Sequence, residues 1–333
     1  MTTTTKERII LGEDLGMGAN KLFGTQGGLQ LPSQVAINGS HKVTQMMGLR
    51  SQKAPLQIRT RQGSFYVGSD AHDWGRPVEN LDYDRLTGAP EMHALLYGSL
   101  TRFIQKHGPL DRPLSLMVGM PLEPLTGPEA KSNVKAVRKW MEGVHEWQAD
   151  GQEYRVEVAE ASVTSQPVGA LFDYLLDEEG HFIKERKSAF KKEVGIVSVG
   201  FNTVELLVVR DKQPVQRFTA GTTAGVRRLL EIVNGENLYS LGELDSQLRR
   251  GNLDVKEALP IWEREVTGVI NQQWGDAWRR FATILLVGGG ATLLKNTLPY
   301  RFNGKAFVPA DPVLSIARGL YKLRQQVENR KRK

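Results

Sequence analysis

Apolar residues along the chain fall into two patterns. Short unbroken runs at residues 9–11, 114–119, Val194–Val199 and Thr283–Val287 have the length of strands buried on both faces. Elsewhere apolar positions recur at helical spacing. Met92, Leu95, Leu96, Leu100, Phe103 and Ile104 predict a helix over 91–107, ended by Gly108 and Pro109. Further helices are predicted over about 129–143, from Gln166 through Ala170, Leu171, Tyr174 and Leu175, over 225–233, over 241–251, and over a long 254–281 carrying Trp262, Val266, Val269, Ile270 and Trp274. A last helix is capped by Asp311, has Pro312 in its first turn, and lines one face with Val313, Ile316, Leu320 and Leu323. Extended segments at 27–33, 35–37, Leu56–Thr60, 64–67 and 154–158 complete the pattern. A meander of strands followed by helices predicts a sheet with a small flap at its edge.

Two of the apolar runs enter turns of one design. Ile9, Ile10 and Leu11 lead through Asp14 to Gly16 and Gly18, and Lys21, Leu22 and Phe23 resume an extended segment. This is a hairpin, because neither a strand-to-helix G-x-G nor the G-x-x-x-x-G-K-[ST] of a P-loop is present. Asp14 and Lys21 flank the turn, a carboxylate for a metal-bound water and an ammonium for phosphate oxygens. Such hairpins also occur without ligands. About 190 residues later the design returns as Val194–Val199, the turn Gly200-Phe201-Asn202-Thr203, and Val204–Arg210. The charged stretch 178–193 between the two units is the expected crossing between domains.

Composition narrows the function classes. A chain of 333 residues with 40% hydrophobic and 24% charged residues exceeds the size at which one core stops growing, so two domains are expected. No run reaches the length of a membrane span, and Thr2 to Thr5, followed by Lys6 and Arg8, has no apolar signal core behind it, so a cytoplasmic protein is expected. Zero cysteines exclude disulfides and thiolate sites, and six scattered histidines argue against zinc chemistry. A net charge of +7 favours acidic partners. The densest basic stretches, 184–192 and 330–333, lack interleaved aromatics, which fits a solvated linker and tail, not direct sequence-specific nucleic-acid binding.

Several separated motifs together resemble the actin, sugar-kinase and heat-shock ATPase superfamily, and within it the bacterial and archaeal actin-like proteins of the ParM plasmid-segregation group. Asp14-Leu15-Gly16 through Lys21 resembles the family's first phosphate hairpin, and Ser198-Val199-Gly200-Phe201-Asn202-Thr203 its second. Leu286-Val287-Gly288-Gly289-Gly290-Ala291 is similar to the adenosine motif, and Ala317-Arg318-Gly319-Leu320 to the closing helix motif. Together these motifs span residues 9–322, nearly the whole chain.

The resemblance implies an α/β fold of two related actin-like (ribonuclease H-like) domains with a nucleotide cleft between them. The expected divisions are 1–185 with a flap at about 33–75, 186–310 with a helical subdomain at about 225–282, and 311–333 as a C-terminal helix returning to the first domain with a basic tail. It implies ATP, with GTP an alternative, and Mg2+ as cofactors. Nucleotide contacts are expected from Gly16, Met17, Gly18, Asn20 and Lys21, from Gly200, Phe201, Asn202 and Thr203, and from Gly288, Gly289, Gly290 and Ala291. Asp14 is the expected metal residue, acting through water, with Ser198 a further candidate. Gln166 looks like the family's water-positioning residue, and because an amide takes no proton at neutral pH it is assigned orientation of the attacking water.

One departure stands out. Ser198 occupies the aspartate position of the second hairpin and brings no charge, which implies slower turnover or an altered metal requirement, and Glu205 follows only after the turn. Glu13, next to Asp14, points to the opposite strand face by the period of two. The functional expectation is an ATPase that polymerises head to tail and segregates plasmid or other DNA through a separate adaptor. The alternatives are a small-molecule kinase of the same superfamily and a module that binds ATP without hydrolysis. Polymer contacts are expected from the flap at 38–63 and from 234–253.

Overall fold

In the computed structural model, which describes residues 7–38 and 53–331, the apolar runs assemble into two sheets. The first is built from β1 (Ile9–Leu15), β2 (Ala19–Gly24), β3 (Gly27–Pro32), β4 (Val35–Asn38), β5 (Leu56–Thr60), β6 (Gly63–Val67) and β7 (Gly75–Pro77), then, after helix α1 (Pro90–His107), β8 (Leu114–Met120). Helix α2 (Ala130–Met141) leads on to β9 (Gly143–Ala149) and β10 (Gln152–Ser165). These strands lie in the order β3-β2-β1-β8-β10-β9-β5-β6-β4-β7. Helices α3 (Gln166–Leu175) and α4 (Lys184–Lys187) carry the chain to the second sheet, made of β11 (Val194–Val199), β12 (Val204–Arg210), β13 (Gln213–Pro214), β14 (Ala220–Thr222), β15 (Thr283–Val287) and β16 (Ala306–Phe307). Helices α5 (Val226–Val233), α6 (Leu241–Arg249) and α7 (Ala258–Trp274) separate β14 from β15. The short α8 (Gly289–Leu293) follows β15, and α9 (Ser315–Lys331) closes the described chain.

The two sheets share one plan. In the first, β1 pairs antiparallel with β2 and parallel with β8, which pairs parallel with β10. In the second, β11 pairs antiparallel with β12 and parallel with β15, which pairs parallel with β16. The repeated hairpin read in the sequence thus takes the same place in each sheet, second and third from one end, and the α/β fold of two related lobes follows. Between the sheets lie α3 and α9. Their apolar residues Ala170, Leu171, Leu175, Ile316 and Leu320 form one core with Met117 of the first sheet and Ile196, Leu207, Leu285 and Val287 of the second. The helices cross backbone to backbone, since a Cβ on Gly319 would lie 1.7 Å from the Gly169 carbonyl oxygen. Asp173 of α3 also accepts from Ser315 Oγ at 2.6 Å, Arg318 Nε at 2.7 Å and Lys322 Nζ at 3.1 Å, all on α9.

Some boundaries differ from the sequence expectation, each for a local reason. The strand expected at 154–158 is part of a 14-residue β10. Its antiparallel partner β9 is joined to it by Asp150 and Gly151, both at positive φ. The long helix expected over 254–281 runs only over Ala258–Trp274, because Gly275 takes φ +49 and a 3₁₀ turn follows. Asp311 caps a turn, accepting from the Val313 and Leu314 amides at 3.0 Å, and the helix itself starts at Ser315. Part of the expected flap contact surface, 39–52, and the last two tail residues lie outside the described residues. Among the described residues no helix is long and apolar enough to cross a membrane.

Candidate functional site

The first hairpin sets Asp14 directly opposite Lys21 in the β1–β2 register. Directly opposed residues share a face, so the lysine Nζ reaches Asp14 Oδ2 at 2.8 Å. The other carboxylate oxygen accepts from Gln166 Nε2 at 2.7 Å, at the point where β10 ends and α3 begins. Asp14, Lys21 and Gln166, separated by up to 152 residues in sequence, therefore form one hydrogen-bonded set. Because a carboxylate only accepts, the Gln166 amide must present its NH2 side to Asp14 and turn Oε1 elsewhere.

Asn20 does not join this set. It pairs with Leu15, one step out of phase with Asp14, and its side chain donates to Glu13 Oε1 and Ser99 Oγ, each at 3.0 Å, beneath α1. The expectation that its side chain faces a nucleotide is corrected by the strand period of two. The same parity puts Glu13 on the face away from Asp14, as expected. There burial pushes its carboxyl up to about 7, opposed by the Asn20 hydrogen bond and aided by the Asp14 charge.

The second hairpin faces the first. Ser198, Gly200, Phe201, Asn202 and Thr203 line a cavity of about 580 Å³ whose other wall includes Asp14, Gly16, Met17, Gly18, Lys21 and Gln166. The hairpins nearly touch: a Cβ on Gly18 would sit 2.3 Å from Phe201 Cβ, so the glycine permits the approach. The turn is held from behind by the start of α5, where the Val226 and Arg227 amides donate to the Gly200 and Phe201 carbonyls at 3.0 and 2.7 Å. Opposite Ser198 in the register stands Glu205, 1% exposed. Burial raises its carboxyl to about 8, the Leu122 amide at 2.6 Å opposes the rise, and Asp14 and Glu123 add to it.

The triglycine turn divides its duties. Gly288, at φ +92, passes so close to β11 that a Cβ would lie 2.4 Å from the Val199 carbonyl oxygen, and Gly289 borders the open cavity. Gly290 packs against Val199 and Trp262 and Ala291 lies in the second lobe's core, so neither lines the cavity, contrary to expectation. Thr292 and Leu293, one turn further on, line it instead. Sequence reasoning also missed Tyr83, Pro121, Asp245 and Arg249. The last two are an i,i+4 pair on α6, with Arg249 Nε 2.7 Å from Asp245 Oδ2 and its Nη2 donating to the Gly18 carbonyl at 3.1 Å. Their spacing was visible, but not the cleft they face.

The donor set fits a nucleoside phosphate with a cation. Glycines at Gly16, Gly18 and Gly289 leave backbone close to the cavity, Lys21 brings an ammonium, Asp14 a carboxylate, and the volume is that of a small-molecule site.

Comparison with known proteins agrees with this architecture. A family model described as the actin-like proteins N-terminal domain matches residues 12–169, and one described as the archaeal actin homologue MreB-like C-terminal domain matches 196–299. A comparison with curated proteins returns no match. Among solved structures, the actin-like protein Alp7A superposes with a TM-score of 0.75 at 14% identity, covering 98% of each chain. A 15-stranded ParM filament from Clostridium botulinum gives 0.73 at 17% identity, covering 96% of this chain and 99% of that one. An archaeal actin homologue in complex with ADP gives 0.71 at 17% identity, with the same coverage. Two family models in the expected order over a repeated two-sheet plan make this chain a member of the actin-like superfamily, with the two-lobed fold of the ParM-like proteins.

Proposed function

We propose that the chain binds ATP, with GTP the alternative, together with Mg2+ between its lobes, hydrolyses it slowly, and uses the cycle to assemble and lose a head-to-tail filament. The observation that carries this reading is the facing pair of hairpins, with the Asp14, Lys21 and Gln166 set on one wall of the cavity and Ser198 to Thr203 on the other. Lys21 would hold phosphate oxygens, and Gly16, Met17, Gly18 and Gly200 to Thr203 would enclose the phosphates from both sides. Gly288 and Gly289, with Thr292 and Leu293, would border the base and ribose. Asp14 would hold the hydrated cation, which when bound neutralises charge on the phosphates and draws their oxygens together. With its NH2 committed to Asp14 and its side chain lining the cavity, Gln166 would use Oε1 to accept from the attacking water and align it with the terminal phosphorus.

The task proposed for the filament is segregation of plasmid or other DNA through a separate adaptor, in the cytoplasm. The domain divisions given above, 1–185, 186–310 and 311–333, are retained as part of this reading. Its support is the family, together with relatives of the same fold that are a ParM filament and an ADP complex. Pelleting and electron microscopy with ATP, with ADP and without nucleotide test it. Filaments that depend on ATP are expected, and soluble monomers under every condition would overturn the polymer reading. Phosphate release measured in the same samples separates a polymerising ATPase from a module that binds without turnover. A Ser198→Asp variant is expected to release phosphate faster at saturating ATP, and an unchanged rate would refute the role given to Ser198.

A further inference from the structure

Ser198 leaves its hairpin strand uncharged where it borders the cavity, but a hairpin has two strands. The residue directly opposite Ser198 is Glu205, and opposed residues of an antiparallel pair project from one face with Cβ atoms about 5 Å apart. Glu205 is 1% exposed. Its Oε1 accepts the Leu122 amide at 2.6 Å, next to Pro121, which lines the cavity. Its Oε2 is buried and makes no hydrogen bond with any described residue. With or without a proton, that oxygen has no partner among the described residues, and burying such a group costs free energy unless something else meets it.

The other carboxylates of the cleft are already engaged. Asp14 accepts from Gln166 and Lys21, and Asp245 accepts from Arg249. Among the described residues, Glu205 is thus the carboxyl beside the cavity that keeps a buried oxygen unpaired. It also ties the second lobe to the first, since it belongs to β12 while Leu122 follows β8. A carboxyl held this way is set in place only when the lobes are together.

We propose that Glu205 supplies, from the opposite strand, the carboxyl that Ser198 does not, and that with Asp14 it holds the water shell of the Mg2+ of a bound nucleoside phosphate. This rests on the nucleotide reading above. Mg2+ keeps several of its waters and is gripped through one or two carboxylates plus substrate phosphates. One carboxyl from each lobe meets that requirement, and the extra methylene of glutamate over aspartate suits a residue reaching from the neighbouring strand.

The test is calorimetric titration of the full chain with ADP, in excess Mg2+ and in EDTA, for the wild type, Glu205→Gln, Glu205→Asp and the double variant Ser198→Asp/Glu205→Gln. Glutamine keeps an oxygen for the Leu122 amide. Glu205→Gln is expected to lose about tenfold of the affinity that Mg2+ adds, in line with loss of an outer-shell carboxylate, while affinity in EDTA stays as in the wild type. The double variant is expected to regain the Mg2+ dependence, and Glu205→Asp to fall between. Should Glu205→Gln not fold, the aspartate variant, which keeps a carboxyl but shortens its reach, carries the same comparison. An unaltered Mg2+ dependence in Glu205→Gln, or an equal loss in EDTA, overturns the inference while leaving the nucleotide reading intact. Failure of the wild type to bind ADP under either condition overturns both.

Discussion

Glu13 offers a pH dependence that follows directly from its surroundings. The carboxyl is fully buried beneath α1, and burial, opposed by the Asn20 hydrogen bond and aided by Asp14, raises it from an ordinary 4.5 to about 7. The folded chain therefore binds a proton that the unfolded chain has released between those values. Stability contributed by this group is fully present below pH 4.5 and is lost as pH rises through about 7. At about 1.4 kcal/mol per pH unit, the loss between about pH 5 and about pH 8 is about 2.5 kcal/mol. Glu13→Gln removes the titration. Its amide oxygen can still accept from Asn20, and its NH2 can donate to the Asn20 oxygen, which accepts no hydrogen bond among the described residues. The variant should thus unfold in urea much like the wild type at the lower pH and be more stable by about 2.5 kcal/mol relative to it at the higher. Glu205, which also rises, contributes equally to both proteins and cancels from the difference. A difference that does not change with pH, or that shrinks as pH rises, would mean that Glu13 is ionised in the folded chain and would refute the reasoning.

Three further outcomes are expected. Gly319→Ala forces a Cβ into the Gly169 carbonyl, where only helix backbone could yield, and should cost about 3 kcal/mol in thermal or urea unfolding. Asp173→Asn leaves Lys322 buried and weakens three contacts between α3 and α9, so a loss of about 3 kcal/mol by the same measurement is expected. Gln34→Ala removes bonds from the first lobe to the Gly242 carbonyl at 3.1 Å and Ser246 Oγ at 2.9 Å; at about 1 kcal/mol each the open form should gain roughly tenfold or more, seen as a larger radius by small-angle scattering without nucleotide.

Much of the fold was legible because the hairpins it repeats are local. The runs at Val194–Val199, Val204–Arg210 and Thr283–Val287 are strands over the limits read from the sequence, since continuous apolar runs bounded by glycine or charge leave one way to be buried. The Asp14 and Lys21 pair was legible for the same reason, as a short turn fixes the register. The period of two that set Glu13 aside also sets Asn20 aside, and applying it to both strands would have excluded that side chain. An Asp-Gly pair between two extended segments is a hairpin signal, so β9 was within reach of the sequence too. Tyr83 and Arg249 were not. Their place in the cavity depends on how α6 and the region before α1 come to rest across the cleft, and no local pattern encodes that.

The contacts that join the lobes differ in kind from base to mouth, and this bears on how the cleft can work. At the base α3 and α9 are packed between both sheets, with glycine allowing backbone contact and Asp173 bonded to three α9 side chains. Separating the sheets there would expose apolar surface at about 25 cal/mol for each Å², which makes the base the fixed end. The mouth is polar. Gln34 bonds to α6, Asp70 pairs with Arg250, and Arg249 reaches the Gly18 carbonyl. Each of these groups can be satisfied by water when the lobes part, so opening costs only the net worth of a few hydrogen bonds. A ligand that met both hairpins would therefore need only modest binding energy to bias the lobes toward closure, and its loss of a phosphate would remove contacts from the side where the lobes are held least firmly.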